Sequence, residues 1–305
     1  MYDFENGAHL LRKCEKYGVP ISEIMKRREL EFGGLSEEMI RTKLDKVFEI
    51  MDHSIHDPIE DPHDSMGGLI GGEARMVWYH KLKGNTLSGS FLSKAIAYSM
   101  AVLETNASMG LIVAAPTAGS SGVVPGCLIA GMEERGFTKE QFDKGILNAG
   151  AIGYILMRNS SVSGAEAGCQ AEVGAASAMA ASALVEIMGG SPEVCINAAS
   201  LALSNLLGLV CDPIAGLVEA PCQSRNSIGA ANAIVCADLA LSGVKHQIPF
   251  DEMSKAMYRV GRSLPFELRE TAMGGCAATP TGCALRYQCV VGEQIGERLE
   301  PLSKV

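Results

Sequence analysis

The first 65 residues alternate charged and apolar positions at the spacing of amphipathic helices. Apolar side chains recur every three or four residues between residues 36 and 51, and Ser36 stands directly before two acidic residues. A serine in that position accepts a hydrogen bond from the first turn of a helix. The pattern therefore predicts helices over residues 22–28 and 36–51.

The pattern changes after Gly67, where glycine, alanine, serine and methionine replace most charged residues. Helical periodicity dominates and strand-like alternation is scarce. Helices are predicted over residues 93–104, 139–157, 171–188, 192–207, 226–242 and 252–260. We therefore predict an all-α fold, in which a helical extension over residues 1–65 precedes one Ala/Gly-rich helical domain over residues 66–305.

Composition excludes several classes of protein. The 305 residues carry 26 Lys and Arg against 35 Asp and Glu, which gives a net charge of −9, and aromatic residues make up 5%. A surface of that sign does not attract nucleic acid or an anionic membrane. The N-terminal residues lack the apolar core of an export signal, and the uncharged runs at 105–132 and 194–211 contain hydroxyl and amide side chains. We expect a soluble, cytoplasmic protein.

Residues 52–64 hold three histidines, four aspartates and two prolines. Histidines beside carboxylates are typical of metal sites, but the prolines interrupt the regular spacing that ligands on one element need. A solvated loop is the preferred interpretation of this segment, and a metal site is the alternative.

The ten cysteines include no Cys-x-x-Cys pair, which argues against a zinc ribbon, a thioredoxin-type pair and a ferredoxin-type run. Four cysteines in apolar or helical contexts are interpreted as small buried side chains, namely Cys14, Cys127, Cys195 and Cys236. Three others stand beside glycine or proline and near polar residues, namely Cys169, Cys211 and Cys222. A shared metal site and three separate thiols are both compatible with their spacing.

Residues 114–125 read AAPTAGSSGVVP, which places glycine and hydroxyl residues directly before a helical run. Such a loop presents backbone N–H groups at a helix N-terminus and suits an anion such as a carboxylate or a phosphate. A plain turn between two buried helices is the alternative. The loop lacks the Gly-Lys-Ser/Thr ending of a P-loop, which argues against a nucleoside triphosphate.

Three segments resemble the cluster-ligand segments of the iron–sulfur-dependent L-serine dehydratase (L-serine ammonia-lyase) family, in the same order. They read SGAEAGCQAEVG from Ser163, CDPIAG from Cys211 and PCQSRN from Pro221. AAPTAG from Ala114 resembles the substrate loop of the family, and RETAMGG from Arg269 resembles its C-terminal segment. The resemblance covers residues 66–290, and the combination of motifs is very specific.

The resemblance implies that Cys169, Cys211 and Cys222 bind three irons of a [4Fe–4S] cluster whose fourth iron has no permanent cysteine. It implies the deamination of L-serine to pyruvate and ammonia, in which the open iron acts as a Lewis acid on the substrate hydroxyl. Ser121 is a weaker candidate in the substrate loop. The residues expected to bind the substrate are Thr117, Ala118, Gly119, Ser120 and Asn205.

Polar residues close to the ligands have less specific expectations. Arg225 and Asn226, like Asn205, flank ligand segments and are expected to orient the substrate or to donate hydrogen bonds to cluster sulfur. Glu166 and Glu172 lie three residues before and after Cys169. Each is interpreted as a base, a supporting group or a surface or capping residue, and no catalytic base is assigned.

The resemblance also bears on partners. Some members of the family fuse a small α/β domain to the catalytic domain, whereas others carry it on a separate β chain. This sequence contains no segment that resembles that domain or its Ser-rich stretch ending in Ser-His-Thr. It therefore resembles the α chain of the two-chain type, which implies a β-chain partner. That partner is an alternative source of the catalytic base. An oligomer is expected.

One departure from the family concerns the C-terminus. Some members end in a cysteine that occupies the open iron, whereas this sequence reads EPLSKV over residues 300–305. Three nearby residues are interpreted as ordinary thiols, with an approach to the cluster as the alternative, namely Cys276, Cys283 and Cys289.

Other classes of protein compete with this interpretation. A pyridoxal-phosphate lyase needs a Schiff-base lysine, and no persuasive context is found at Lys81, Lys83, Lys94 or Lys144. A structural cluster or zinc scaffold is disfavoured because three ligands leave one metal position open. A related iron–sulfur lyase acting on threonine or cysteine remains an alternative, since a methyl group or a thiol changes the pocket little.

Overall fold

The computed structural model describes residues 1–291, and over these residues the chain forms thirteen α-helices and no β-strand. The predicted all-α class is confirmed. No helix in the described part of the chain combines the length and the apolar character needed to cross a membrane. The helices are α1 (Gly7–Tyr17), α2 (Ile21–Glu31), α3 (Glu37–Glu60), α4 (Glu73–Leu82), α5 (Gly89–Ala107), α6 (Val123–Arg135), α7 (Lys139–Asn159), α8 (Gly164–Ala167), α9 (Ala175–Ile187), α10 (Pro192–Asn205), α11 (Cys222–Leu241), α12 (Phe250–Ser263) and α13 (Pro280–Val291).

Helix α9 lies among α6, α7, α10 and α11 and forms the centre of the core. All of its residues are buried except Glu186. Alanine and serine predominate in it, so neighbouring helices can approach on every side, as expected of a helix that is apolar all round. The turn that leads into α9 carries Cys169 and Glu172, so the packing of this helix determines where those two side chains lie.

Glycines allow α5, α6 and α11 to approach one another closely. A Cβ atom on Gly126 of α6 would lie 2.8 Å from the Ser99 backbone nitrogen of α5. A Cβ atom on Gly229 of α11 would lie 2.8 Å from a methyl group of Val123, the first residue of α6. Both distances are shorter than van der Waals contact, so these two positions accept no larger residue without movement of the backbone or the core.

The N-terminal helices bury their apolar side chains in the same core as the rest of the chain. Leu10 of α1, Ile24 of α2 and Ile55 of α3 are fully buried in that core. The predicted cap at Ser36 is confirmed, because its hydroxyl accepts a hydrogen bond of 3.2 Å from the Met39 nitrogen. The division of the chain near residue 65 stays a prediction.

The prediction of a loop over residues 52–64 was wrong for its first nine residues, which form the end of α3. Met51, Ile55 and Ile59 continue the buried face of that helix past the acidic residues, and Pro58 is accommodated near its C-terminus. His53 Nδ1 lies 3.0 Å from the Glu49 carbonyl, and His56 Nε2 lies 3.2 Å from Glu133 Oε1 of α6. No three ligating atoms of this segment converge in the part of the chain that the structure describes.

Replacing Gly126 by Ala should destabilise the protein by about 1–3 kcal/mol, because the new methyl group meets the backbone of α5. Gly150→Ala in α7 is the matched control, since its Cβ atom would meet only the end of Met25, at 3.9 Å. That change should be neutral or should stabilise by up to about 1 kcal/mol through helix propensity. Urea denaturation of both variants measures the difference, and equal effects would contradict the close packing of α5 on α6.

Candidate functional site

Cys169 lies at a break between two helical segments. Helix α8 ends at Gly168, which has a φ of 76° and whose Cβ would lie 2.8 Å from the Leu209 carbonyl oxygen. A π-helical turn, Gln170–Gly174, then leads into α9. Turns of this type are frequent at functional sites because they redirect side chains within a helix. The backbone around Cys169 thus turns the thiol out of the regular helical path.

Gln170 joins the Cys169 turn to its neighbours. Its backbone N–H donates to the Leu209 carbonyl at 2.9 Å, and its side-chain oxygen accepts from the Gly208 nitrogen at 2.8 Å. Its side-chain nitrogen donates to the Met257 carbonyl of α12 at 2.9 Å. These bonds hold the Cys169 turn against the chain that leads to Cys211.

Cys211 is held by the backbone around Arg269, where the segment RETAMGG begins. The Cys211 nitrogen donates to the Leu268 carbonyl at 2.9 Å, and the Glu270 nitrogen donates to the Cys211 carbonyl at 2.7 Å. Left-handed backbone occurs at three non-glycine residues in these two segments, namely Ala215, Glu270 and Ala272. Such conformations cost about 1–3 kcal/mol each and cluster at functional sites.

Two of the predicted ligands meet a carboxylate. The ligating atoms of Cys169, Cys211 and Glu172 all lie within 4.8 Å of one another. Both thiols are buried, whereas Glu172 is partly exposed. A Cβ on Gly164 would lie 2.5 Å from Glu172 Oε2 and 2.9 Å from Cys211 Sγ, so the absence of a side chain there makes room for this cluster of groups. Two thiols and a carboxylate form a donor set suited to a transition metal.

The surroundings of Cys211 and Glu172 favour the protonated, neutral form of both side chains. The hydrogen bond to Cys169, followed by burial, raises the pKa of the Cys211 thiol. Burial raises the pKa of Glu172 to about 7, with a hydrogen bond from Thr117 opposing the rise and the charge of Glu270 adding to it. A bound cation would reverse these shifts, because thiols lose their protons when they ligate a metal.

Cys222 opens α11 with a buried thiol. Burial raises its pKa, and the charges of Cys169, Glu172 and Glu270 raise it further, so Cys222 lies within electrostatic range of Cys169. It is not among the atoms that meet within 4.8 Å. The structure therefore brings two predicted ligands into contact range and places the third beside them.

Arg225, one turn into α11, connects the ligand segments. Its Nη1 atom lies 3.6 Å from Cys169 Sγ and donates to the Val210 carbonyl at 2.8 Å. Its Nη2 atom is 2.6 Å from Asp212 Oδ1, and both side chains are largely buried. The other Asp212 oxygen accepts from the Cys276 nitrogen at 2.6 Å. One ion pair thus holds segments that contain Cys169, Cys211 and Cys276.

The predicted substrate loop adjoins this site. Thr117 donates its hydroxyl to Glu172 Oε1 at 2.8 Å, and Ala118–Ser120 form a short 3-10 turn. The backbone N–H groups of Ala118, Gly119 and Ser120 make no hydrogen bond among the described residues. Asn226 attaches the loop to the third cysteine, because its side-chain nitrogen donates to the Gly119 carbonyl at 2.8 Å and to the Cys222 carbonyl at 3.0 Å.

Asn205 lies apart from these residues. Its side chain donates to Asn232 Oδ1 at 2.8 Å and contacts Cys236 Sγ at 3.3 Å. Asn232 is ten residues beyond Cys222 on α11, which corresponds to about 15 Å along the helix axis. The described contacts therefore do not bring Asn205 to Thr117, and its role in substrate binding stays a prediction.

The remaining cysteines have ordinary surroundings. Cys276 and Cys283 are exposed, and Cys289 contacts the Gly67 carbonyl at 3.3 Å. Cys276 lies beside Asp212, but its sulfur is not part of the cluster around Cys169. The segment 300–305, where the sequence departs from the family, lies outside the described residues.

Lys94 was one of the lysines considered for a Schiff base. It is 7% exposed, and its Nζ atom lies 2.8 Å from Glu133 and 2.7 Å from Glu134. Burial lowers the pKa of Lys94, but the hydrogen bonds to both glutamates outweigh it and the net pKa is raised. A nucleophilic lysine needs the opposite shift, so this lysine has a structural role.

Two buried carboxylates were missed by sequence reasoning. Besides Asp212, Glu219 accepts hydrogen bonds from the Ser65 hydroxyl at 2.6 Å and from the Gly67 and Leu69 nitrogens at 2.7 and 3.0 Å. It thereby attaches residues 65–69 to the segment between Cys211 and Cys222. Both acidic residues stand in a stretch of sequence that has no other charged residue, and this was the signal that could have identified them.

The fold and the site define an all-α protein with a buried thiol cluster that a carboxylate and an arginine adjoin. The family described as "Serine dehydratase alpha chain" matches residues 16–277. The chain therefore belongs to the serine dehydratase alpha chain family, and the resemblance inferred from the motifs is confirmed.

Individual relatives agree with this assignment. The chain is 44% identical over 295 residues to the "Probable L-serine dehydratase, alpha chain" of Bacillus subtilis (strain 168), covering 97% of this chain and 98% of the relative. It is 44% identical over 273 residues to the "L-serine dehydratase, alpha chain" of Peptoniphilus asaccharolyticus, covering 90% and 94%. It is 35% identical to the "L-serine dehydratase TdcG" of Escherichia coli (strain K12), where the match covers 90% of this chain and 62% of the relative.

Replacing Asp212 by Asn should lower the free energy of unfolding by about 3 kcal/mol, because Arg225 would be left buried without its counter-charge. Urea denaturation of the metal-free protein measures the change. Asp238→Asn is the control, since Asp238 is exposed on α11, the helix that carries Arg225. It should alter stability by less than about 0.5 kcal/mol, and a similar loss in both variants would argue against the ion pair as the connection between the ligand segments.

Proposed function

We propose that this chain is the catalytic α subunit of a cytoplasmic, iron–sulfur-dependent L-serine dehydratase, which converts L-serine to pyruvate and ammonia. The observation that carries the proposal is the convergence of Cys169, Cys211 and Glu172 next to the loop that begins at Thr117. Membership of the serine dehydratase alpha chain family supports the reaction. Elimination removes the α-proton and the β-hydroxyl as water and leaves aminoacrylate, which tautomerises to an imine; hydrolysis of that imine gives pyruvate and ammonia.

The donor set fits an iron–sulfur cluster. Cys169, Cys211 and Cys222 offer three soft sulfur ligands in a site with little solvent, which is the environment that iron–sulfur clusters use. The thiols come from three separate segments, and Gly164 leaves space beside the Cys211 thiol and the Glu172 carboxylate. We propose these three cysteines as ligands of a [4Fe–4S] cluster. When bound, a cluster with one iron free of cysteine supplies a Lewis acid for the departing hydroxyl group.

The chain's own residues then bind and orient the substrate. The free N–H groups of Ala118, Gly119 and Ser120 provide donors for the substrate carboxylate. Asn226 fixes the distance between this loop and Cys222 through its two carbonyl contacts. Arg225 donates toward Cys169 Sγ, and such a hydrogen bond withdraws negative charge from a ligating sulfur.

The proposal includes a separate β chain. The two relatives that this chain covers over 98% and 94% of their length are named alpha chains. The Escherichia coli relative, which is named simply L-serine dehydratase, has further sequence, because the match covers only 62% of it. A partner chain that supplies the missing part is the simplest explanation of both facts, and we expect the proton acceptor of the reaction to be on it.

Iron and acid-labile sulfide in the anaerobically purified chain test the proposed cofactor. We expect about four of each per chain, with broad visible absorption that air bleaches, because an iron without cysteine is open to oxidation. Addition of the β chain should then give pyruvate from L-serine in a coupled assay. A cluster without serine turnover would contradict the substrate, and absence of iron after anaerobic reconstitution with the β chain present would contradict the cofactor.

Cysteine variants test the ligand set. Cys169→Ser, Cys211→Ser and Cys222→Ser should each lose the cluster spectrum, because a hydroxyl replaces a ligating sulfur. Cys14→Ser is the matched control, since that thiol is equally buried but lies in α1. Iron content and circular dichroism of each variant separate cluster loss from unfolding, and retention of iron in any of the three ligand variants would remove that residue from the set.

A further inference from the structure

Glu172 lies between the substrate loop that begins at Thr117 and the thiols of Cys169 and Cys211. One of its oxygens accepts the Thr117 hydroxyl at 2.8 Å, and its carboxylate lies within 4.8 Å of the Cys169 and Cys211 sulfurs. Glycine flanks each oxygen: a Cβ on Gly119 would lie 3.1 Å from Oε1, and one on Gly164 would lie 2.5 Å from Oε2. The carboxylate therefore contacts the substrate loop on one side and lies near the thiols on the other.

The charge of Glu172 has no positive partner among the described residues. The ion pairs of the described residues include none to Glu172, and Arg225, which contacts Cys169 Sγ, is engaged by Asp212 at 2.6 Å. The charged neighbour that acts on Glu172 is Glu270, which adds further negative charge. Because Glu172 is also partly exposed, a cationic ligand group that enters the site can reach it.

L-Serine carries three polar groups on adjacent carbons. The loop at Thr117 is the proposed acceptor of its carboxylate, and the metal side of the site is the proposed acceptor of its hydroxyl. The remaining group is the α-ammonium, which needs an anionic or carbonyl partner when it leaves water. The position of Glu172 between the loop and the thiols matches the position of the ammonium between the two other groups.

We propose, building on the function above, that the Glu172 carboxylate binds the α-ammonium group of the substrate and so makes the site selective for amino acids over hydroxy acids. Glu172 is then a substrate-binding residue that determines specificity. Two other roles make different predictions: a metal ligand would be needed for iron retention, and a purely structural anchor of Thr117 would affect every ligand of the loop equally.

Glu172→Gln tests the proposal in the anaerobically loaded complex with the β chain. The probes are L-serine and 3-hydroxypropionate, which has the same carboxylate and hydroxyl groups but no ammonium. We expect the KM for L-serine to rise on the order of 100-fold, because a charge-assisted contact is lost; at 1.4 kcal/mol per tenfold this rise corresponds to about 2.8 kcal/mol. The inhibition constant of 3-hydroxypropionate should change by less than about threefold, since that molecule never paired with Glu172.

Glu166→Gln is the matched control. Glu166 lies three residues before Cys169, as Glu172 lies three residues after it, but it is exposed and accepts the Ser161 hydroxyl at 2.6 Å. This variant should leave both constants unchanged. Iron and sulfide content is measured in every sample, so that a change in cluster loading is seen separately from a change in ligand binding.

Three results would overturn the inference. Loss of iron in Glu172→Gln alone would identify Glu172 as a metal ligand. An equal weakening of L-serine and 3-hydroxypropionate would identify it as an anchor of the loop, and an unchanged KM for L-serine would exclude contact with the ammonium. Failure of the proposed function is recorded differently, by a wild-type complex that lacks the cluster or does not turn over serine. If the wild-type complex holds the cluster but does not turn over serine, the ammonium contact can still be tested. Calorimetry then measures competition between unreactive L-alanine and propionate for the loaded complex.

Discussion

The burial of α9 on all sides is the constraint on which the rest of the structure depends. Its alanine and serine residues allow four helices to pack around it, and the π-helical turn Gln170–Gly174 that precedes it cannot move without disturbing that packing. Cys169 and Glu172 belong to this turn or directly adjoin it. The central helix of the core therefore positions a thiol and a carboxylate, while the substrate loop, the Cys211 segment and the start of α11 bring the other groups to them.

Electrostatic connections complete the site across long sequence separations. The Arg225–Asp212 pair joins the start of α11 to the Cys211 segment, and Asn226 joins the same helix to the substrate loop. Glu219 attaches residues 65–69 to the chain between two cysteines. Asp212, Glu219 and Asn226 are buried, Arg225 is largely buried, and all four make polar contacts. This is the condition under which polar groups inside a protein stabilise one arrangement over others.

Local sequence was sufficient to predict those parts of the fold that depend on neighbouring residues alone. The cap at Ser36 and the helices of the Ala/Gly-rich region follow from periodicity and capping, which are local properties. Residues 52–60 were misread because histidine, aspartate and proline are typical of loops. The buried side chains of Ile55 and Ile59 continue the apolar face of α3, and their packing outweighs those local preferences. Helices α1 and α4 were also missed; α4 has a single buried residue, Ala74, so its periodic signal is weak.

The sequence by itself determined the helical class, the three cysteines and the glycine-rich loop, because periodicity, residue type and motif order are properties of the chain. Only the tertiary structure decided which polar groups meet. Glu166 and Glu172 are equally distant from Cys169 along the chain, yet one is exposed beside Ser161 and the other contacts Thr117 and lies near the thiols. Asn205 appeared close to the ligands in sequence but contacts Asn232 instead. Contacts between side chains far apart in sequence depend on how helices pack, and no local pattern encodes that packing.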